Sequence, residues 1–314
     1  MLRYLNTRLP WTNVYGLART LLAAATGLIL LLNPAWVLFR PGSGEQGIVN
    51  CNLTVERISV FCVAGPHLDL ARLGSVIALL IVASGWRPRY TGILHWWISF
   101  SFYSSARVTD GGEQAAALFT LLLIPITLTD SRKWHWQTLQ PGVVTSKAQV
   151  ARMLVAWIGS MAVQIQLAFI YLDACVEKLR VPEWQDGTIM YYVVRDDLLG
   201  APHFLQLLVP LTSTAFVVFL AWPSLLLELS LATNILMRPS ARRVLFFFGV
   251  FFHSSIAILI GIPSFALVMI GALLMGVVPN GWTLRDLLAP LRYERLRSLV
   301  GRRGIVARKQ TAPA

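Results

Sequence analysis

Apolar blocks of membrane-spanning length recur along this chain, and the short segments between them collect most of its basic residues. A run of about 17–25 apolar residues crosses a bilayer as a helix, because a helix satisfies every backbone N–H and C=O within one segment. Eight spans are predicted, at 13–33, 68–85, 90–105, 115–129, 151–175, 204–236, 244–260 and 263–279. Of the 314 residues, 56% are hydrophobic and 13% are charged; a soluble domain carries about 25%. The period-2 alternation of a membrane barrel is absent. The expected fold class is therefore all-α: a polytopic integral membrane bundle of about eight transmembrane helices over 1–280, with a basic tail at 281–314. The block at 204–236 is long for one crossing, and Pro210 and Pro223 are expected to kink or break it. Nine spans is the competing count.

Loop charge separates the two counts. With the N-terminus inside, the predicted inner segments hold 19 of the 27 Lys and Arg residues. Outer segments hold Arg40, Arg57, Arg107, Lys178, Arg180 and Arg195. This asymmetry follows the positive-inside rule and places both termini in the cytoplasm of a cell whose inner (plasma) membrane the chain crosses repeatedly. Nine spans would put the basic tail outside. The net charge of +12 is thus a topology signal, and the partner it implies is the anionic bilayer surface, not nucleic acid. Residues 1–33 lack a clean cleavage site and read as a retained signal anchor.

Three cysteines occur. Cys51 and Cys62 fall in the first outer loop, where a disulfide is expected, two free thiols being the other state. Cys175 reads as packing in an apolar helix.

Ionisable groups inside spans are expensive, so each is a candidate for function. The stretch YLDACVEKLRVPEWQDGTIMYY, 171–192, closes the fifth span with a sudden crowd of charge. Tyr171, Ala174 and Lys178 share one helical face. Lys178 is then either a general base freed by partial desolvation or a snorkelling anchor paired with Asp173 or Glu177. Asp110 and Glu113 flank a Gly–Gly turn, as helix caps or as carboxylates of an outer site shared with Lys178. Glu228 and His253 lie at matching depth in the sixth and seventh spans, as a clamp or a proton relay. Arg19 needs a partner, for which Glu228 is one choice. Gln164 and Gln166 are expected to bond neighbouring helices, and the segment RKWHWQ, 132–137, to form an aromatic belt at the inner interface. The patterns of P-loop, dinucleotide, zinc-protease (HExxH), CxxC and serine-hydrolase (GxSxG) sites do not occur, so no metal site is expected.

Taken in order, Tyr171, Ala174, Lys178, Leu179, Trp184, Gly187, Tyr191 and Tyr192 resemble the signature of the HTTM membrane family that includes the vitamin K-dependent gamma-carboxylase. The 110–113 turn, Glu228, Arg242, Arg243 and His253 are similar to that family's later elements, so the resemblance spans roughly 10–280. It implies that Lys178 is the base that deprotonates a reduced vitamin K or quinone, with Asp110, Glu113, Glu228 and His253 in supporting catalytic roles. It also implies that Tyr171, Trp184 and Tyr191 line a cofactor site. This chain has no room for the carboxylase's large outer domain, which makes protein carboxylation doubtful. In its compactness it is more similar to the bacterial sporulation-delaying protein B branch. That likeness implies help in maturing an exported, toxin-like peptide, with a small secreted precursor and a small partner protein. The alternatives are a quinone-dependent oxygenase-like enzyme and a non-enzymatic scaffold or translocator.

Overall fold

The computed structural model describes residues 9–39, 41–42, 45–49, 51, 56–106, 110–139, 146–196 and 200–289. Most of the predicted basic tail, 290–314, lies outside the described residues.

Helices dominate because the chain offers long apolar runs with capping residues at their starts. Among the described residues, eight helices have 14 residues or more: α1 Asn13–Leu32, α2 Leu68–Ser84, α3 Pro88–Ser105, α4 Gly111–Thr129, α5 Lys147–Leu179, α6 Val218–Ala232, α7 Pro239–Leu259 and α8 Pro263–Gly276. Thr12 caps α1 through Tyr15 N–H, and Ser146 with Gln149 forms a capping box on α5. Among the described residues, five helices are long and apolar enough to cross a membrane: Asn13–Leu32, Gly111–Thr129, Lys147–Leu179, Ala215–Ala232 and Pro239–Leu259. Pro263–Gly276 is apolar but shorter. The chain is thus an all-α membrane protein with several helices of spanning length. A small antiparallel hairpin, β1 Pro41–Gly42 with β2 Glu45–Val49, interrupts the all-α rule in the first long loop.

Contacts at the helix ends fix the direction of each helix. At one end, Trp11 Nε1–H donates to the Ile126 carbonyl (3.1 Å) at the end of α4, and Arg152 at the start of α5 donates to the Thr129 carbonyl (2.7 Å). The His135 N–H reaches the Gly85 carbonyl after α2 (2.9 Å), and Arg242 in the first turn of α7 reaches the Val277 carbonyl after α8 (2.9 Å). We call this the basic end. At the opposite end, Arg72 near the start of α2 holds the Leu30 carbonyl of α1 (2.6 Å), and Ser59 meets Ser105 at the end of α3 (2.8 Å). Gly112 of α4 lies against Phe265 of α8, and Gly187, beyond α5, lies against Val218 and Trp222 of α6. Successive helices therefore alternate in direction. Cys51 and Cys62 form a disulfide at this second end; it is here called the disulfide end.

The predicted sixth span is corrected. Residues His203–Ser213 form a 3₁₀ segment that contains Pro210, and a regular α-helix begins only at Val218. Pro210 lacks the N–H a continuing helix needs, whereas Pro223 is accommodated inside α6. At 33 residues, α5 is about 50 Å long, well beyond a hydrocarbon core of about 30 Å. It stands proud of the bundle and carries Lys178 to the disulfide end.

Two apolar cores hold the helices. One, with Tyr15, Phe119, Leu167 and Leu273, joins α1, α4, α5 and α8. The other, with Leu30, Phe39, Phe61, Leu79 and Phe102, joins α1, α2 and α3 to the disulfide-bearing loop. Close backbone approach is needed where Gly276 meets the Leu167 side chain; any Cβ there would overlap it. Beside it, Gln164 donates to Asn280 Oδ1 (2.7 Å), as expected of an interhelical glutamine.

The basic end contains a buried polar knot that the sequence did not announce. Arg19, 0% exposed, reaches His135 Nδ1 (3.2 Å) and Thr91 Oγ1 (3.0 Å), not Glu228. Arg132 holds Asp130 through two nitrogens and donates to the His135 carbonyl (2.8 Å). Trp134 and Trp136 remain partly exposed, as a belt requires, but His135 is fully buried between α1 and α2. Burial, with Arg19 and Arg132 nearby, pushes the His135 imidazole down to about 2.

Candidate functional site

The last three turns of α5 turn one face toward α6 and α7. Helical side chains lean toward their own N-terminus, so on antiparallel neighbours two long side chains lean toward each other. Lys178 on α5 and Glu228 on α6 use this geometry, and the Lys178 ammonium makes an ion pair with Glu228 Oε1. The carboxylate is almost wholly enclosed (4% exposed), and the lysine is less so (25%). Trp184 covers the ammonium at 4.9 Å from its ring centre. The anchor expected from sequence is corrected in its partner: Glu177 binds Arg180 (2.6 Å), and neither it nor Asp173 holds Lys178.

Two turns deeper along α5, the Tyr171 hydroxyl meets His253 Nε2 of α7 at 2.7 Å. Phe252 and Phe265 pack on that imidazole edge-to-face, at 5.1 and 5.7 Å between centroids. Glu228 and His253 thus do not clamp each other directly; each has a partner on α5. Glu228 Oε2 and His253 Nδ1 are buried and make no hydrogen bond among the described residues. The four side chains border one cavity of about 590 Å³ between α4, α5, α6, α7 and α8, within the size range of ligand sites. An ammonium, a carboxylate, a phenol and an imidazole in one partly water-excluded cavity form an assembly able to store and pass a proton.

The remaining predicted site residues lie elsewhere. Asp110 and Glu113 form a reciprocal capping box on α4: Gly112 N–H donates to Asp110 Oδ1 (2.5 Å), and Asp110 N–H to Glu113 Oε2 (2.7 Å). Their neighbours Gly111 and Gln114 border the cavity. Tyr191 stacks under Arg195 (3.8 Å) beside Tyr192 and does not line the cavity. Cys175 is a buried free thiol against α6. Sequence reasoning missed Gln114 and Asp173 as lining residues and assigned Gln166 to helix packing. The spacing of 166, 170, 174 and 178 along one helical face was the available signal.

A second cavity, of about 690 Å³, lies between residues 190–194 and 201–216, α6 and α7. Its walls are almost entirely apolar, and Phe252 and Ile256 of α7 separate it from the first cavity while lining both.

The chain is similar to two proteins of Bacillus subtilis (strain 168). It is 38% identical to the uncharacterized protein YitO over 282 residues, covering 88% of this chain and 89% of that protein. It is 35% identical to the sporulation-delaying protein SdpB over 283 residues, covering 88% of this chain and 84% of that protein. No family model and no solved structure matches the chain.

Proposed function

The chain belongs to the family of YitO and SdpB, and from that membership we propose that it matures an exported peptide at the outer face of the plasma membrane, with the Lys178 cavity as its site. The resemblance to the sporulation-delaying branch suggests the substrate class and a small partner protein. The observation that carries the site is the Lys178–Glu228 ion pair on the wall of a cavity that also takes in Tyr171 and His253. One proton shift across the pair turns ammonium and carboxylate into amine and carboxylic acid. The amine then faces the cavity as a base, with Glu228 as the proton's resting place. His253 Nδ1, with its lone pair or proton unengaged, is the exit for the next proton. Tyr171 fixes the ring through Nε2.

The test is mass analysis of the exported peptide from cells making the wild type, Lys178→Ala or Lys178→Arg at equal abundance. Arginine keeps the positive charge but does not surrender a proton. Both variants are expected to abolish the mature mass. Normal maturation by Lys178→Ala sinks the role, and normal maturation by Lys178→Arg alone leaves an ion pair without base chemistry. An unchanged covalent state with altered secretion would instead identify a translocator or scaffold.

The neighbouring apolar cavity favours a second reading, in which the site takes a reduced quinone or vitamin K-like molecule, its ring near Lys178 and its tail beyond Phe252 and Ile256. Organic extraction of the purified protein followed by chromatography checks this; a lipid extract free of quinone after purification in native membrane discs counts against it.

A further inference from the structure

The cavity beside Lys178 carries more negative than positive charge, and the imbalance comes from one residue. Asp173 borders the cavity and makes no hydrogen bond or ion pair with any described residue. Lys178 and Glu228 neutralise each other, which leaves Asp173, exposed at the cavity's edge, as an uncompensated carboxylate. Glu228 Oε2, which is buried, lines the same space without a donor. The excess of acceptors favours a positively charged or N–H-bearing ligand, met first at the exposed Asp173.

The rest of the lining describes that ligand further. Gln166, Asp173 and Lys178 all border the cavity from α5; along the helix axis Asp173 is about 8 Å from Lys178 and about 10 Å from Gln166 on its other side. Gln114 borders it from α4. Eight ångströms is the length of about two extended residues. A carboxamide offers both a donor and an acceptor, as a peptide group requires when it leaves water. Phe169, Phe252 and Phe265 supply the apolar walls between these groups.

We propose that Asp173 receives the cationic end of an apolar peptide segment, its N-terminal ammonium or a terminal lysine, while Gln114 of α4 pairs with the segment's backbone and its reacting portion, about two residues on, lies at Lys178. This assignment rests on the peptide reading above and adds charge selectivity to it. Asp173 is a positioning residue, since it selects and registers the segment without touching the proton being moved.

The experiment uses the full chain in lipid nanodiscs and a synthetic eight-residue apolar peptide labelled at its C-terminus, made with a free or an acetylated N-terminus. Fluorescence anisotropy is read against empty nanodiscs. The wild type is expected to bind the free-amine peptide about tenfold tighter than the acetylated one, the size of one charge-assisted contact. Asp173→Asn should bind both with the weaker affinity, and Asp173→Glu should restore the preference. Equal affinities in the wild type, or a preference that survives Asp173→Asn, overturn the proposal and leave the peptide reading standing. Binding of neither peptide above empty nanodiscs overturns both.

Discussion

Glu228 is tolerable in its position because Lys178 reaches it; a carboxylate only 4% exposed among α5, α6 and α7 has lost most of its hydration. Removing only the cation should therefore cost more than removing both charges. Lys178→Met is expected to lower stability by up to about 3 kcal/mol, and Lys178→Met with Glu228→Gln to recover most of it, as read from thermal unfolding in detergent. Activity should stay lost in both, which separates the structural from the chemical role of the pair. His135 makes the second residue-scale case. Its folded value near 2 lies below the ordinary 6.5, so the unfolded chain takes up a proton that the folded chain refuses. Stability is full above about pH 6.5 and falls as pH drops toward 2, by up to about 1.4 kcal/mol per unit from this group. His135→Gln should flatten that part of the acid profile relative to the wild type. The sequence marked Lys178, Glu228, His253 and Arg19 as costly but not what each would touch. Periodicity assigns a residue to a face; neighbours depend on helix order and on side-chain lean, which no local pattern encodes.

Among elements, the turn from α2 into α3 shows how a connection can set a helix position. Gly85 ends α2 at φ +90° and gives its carbonyl to His135 N–H. A methyl group there would overlap the His135 ring, and one at Gly16 of α1 would sit 2.9 Å from the same residue. Gly74, in the middle of α2, meets nothing within 4 Å. Gly85→Ala is therefore expected to lower the unfolding midpoint clearly, while Gly74→Ala should leave it unchanged or raise it, since alanine is the better helix former by about 1 kcal/mol. Size-exclusion profiles and thermal scans of the two variants check this. Helix positions were largely legible: 13–33 corresponds to Asn13–Leu32, 68–85 to Leu68–Ser84 and 90–105 to Pro88–Ser105. The ends that moved did so for local reasons. The capping box at Asp110 starts α4 at Gly111, ahead of its apolar run, and Pro210 delays α6. Both signals, the Asp110 and Glu113 cap and the Pro210 break, were present in the sequence; the span bounds missed them because they followed apolar composition, and the residues before Val218 are as apolar as those after it.

For the whole molecule, the disulfide and the Lys178 cavity share one end of the bundle, and the Arg and Lys residues of the short turns, among them Arg87, Arg132, Lys133 and Arg242, share the other. Disulfides form in oxidising compartments and basic turns stay inside, so the cavity is expected to open outward. Gln185→Cys, beyond α5, should react with a membrane-impermeant maleimide on intact cells, and Lys133→Cys only after the cells are opened; the reverse pattern would invert the orientation. Access has a further side. The chamber is open along its flank: Phe169 and Asp173 of α5 and Gln114 of α4 border it and are exposed. Its entrance is thus a slit rather than a hole, so a guest longer than the chamber leaves its surplus length outside while its tip is held beside Lys178.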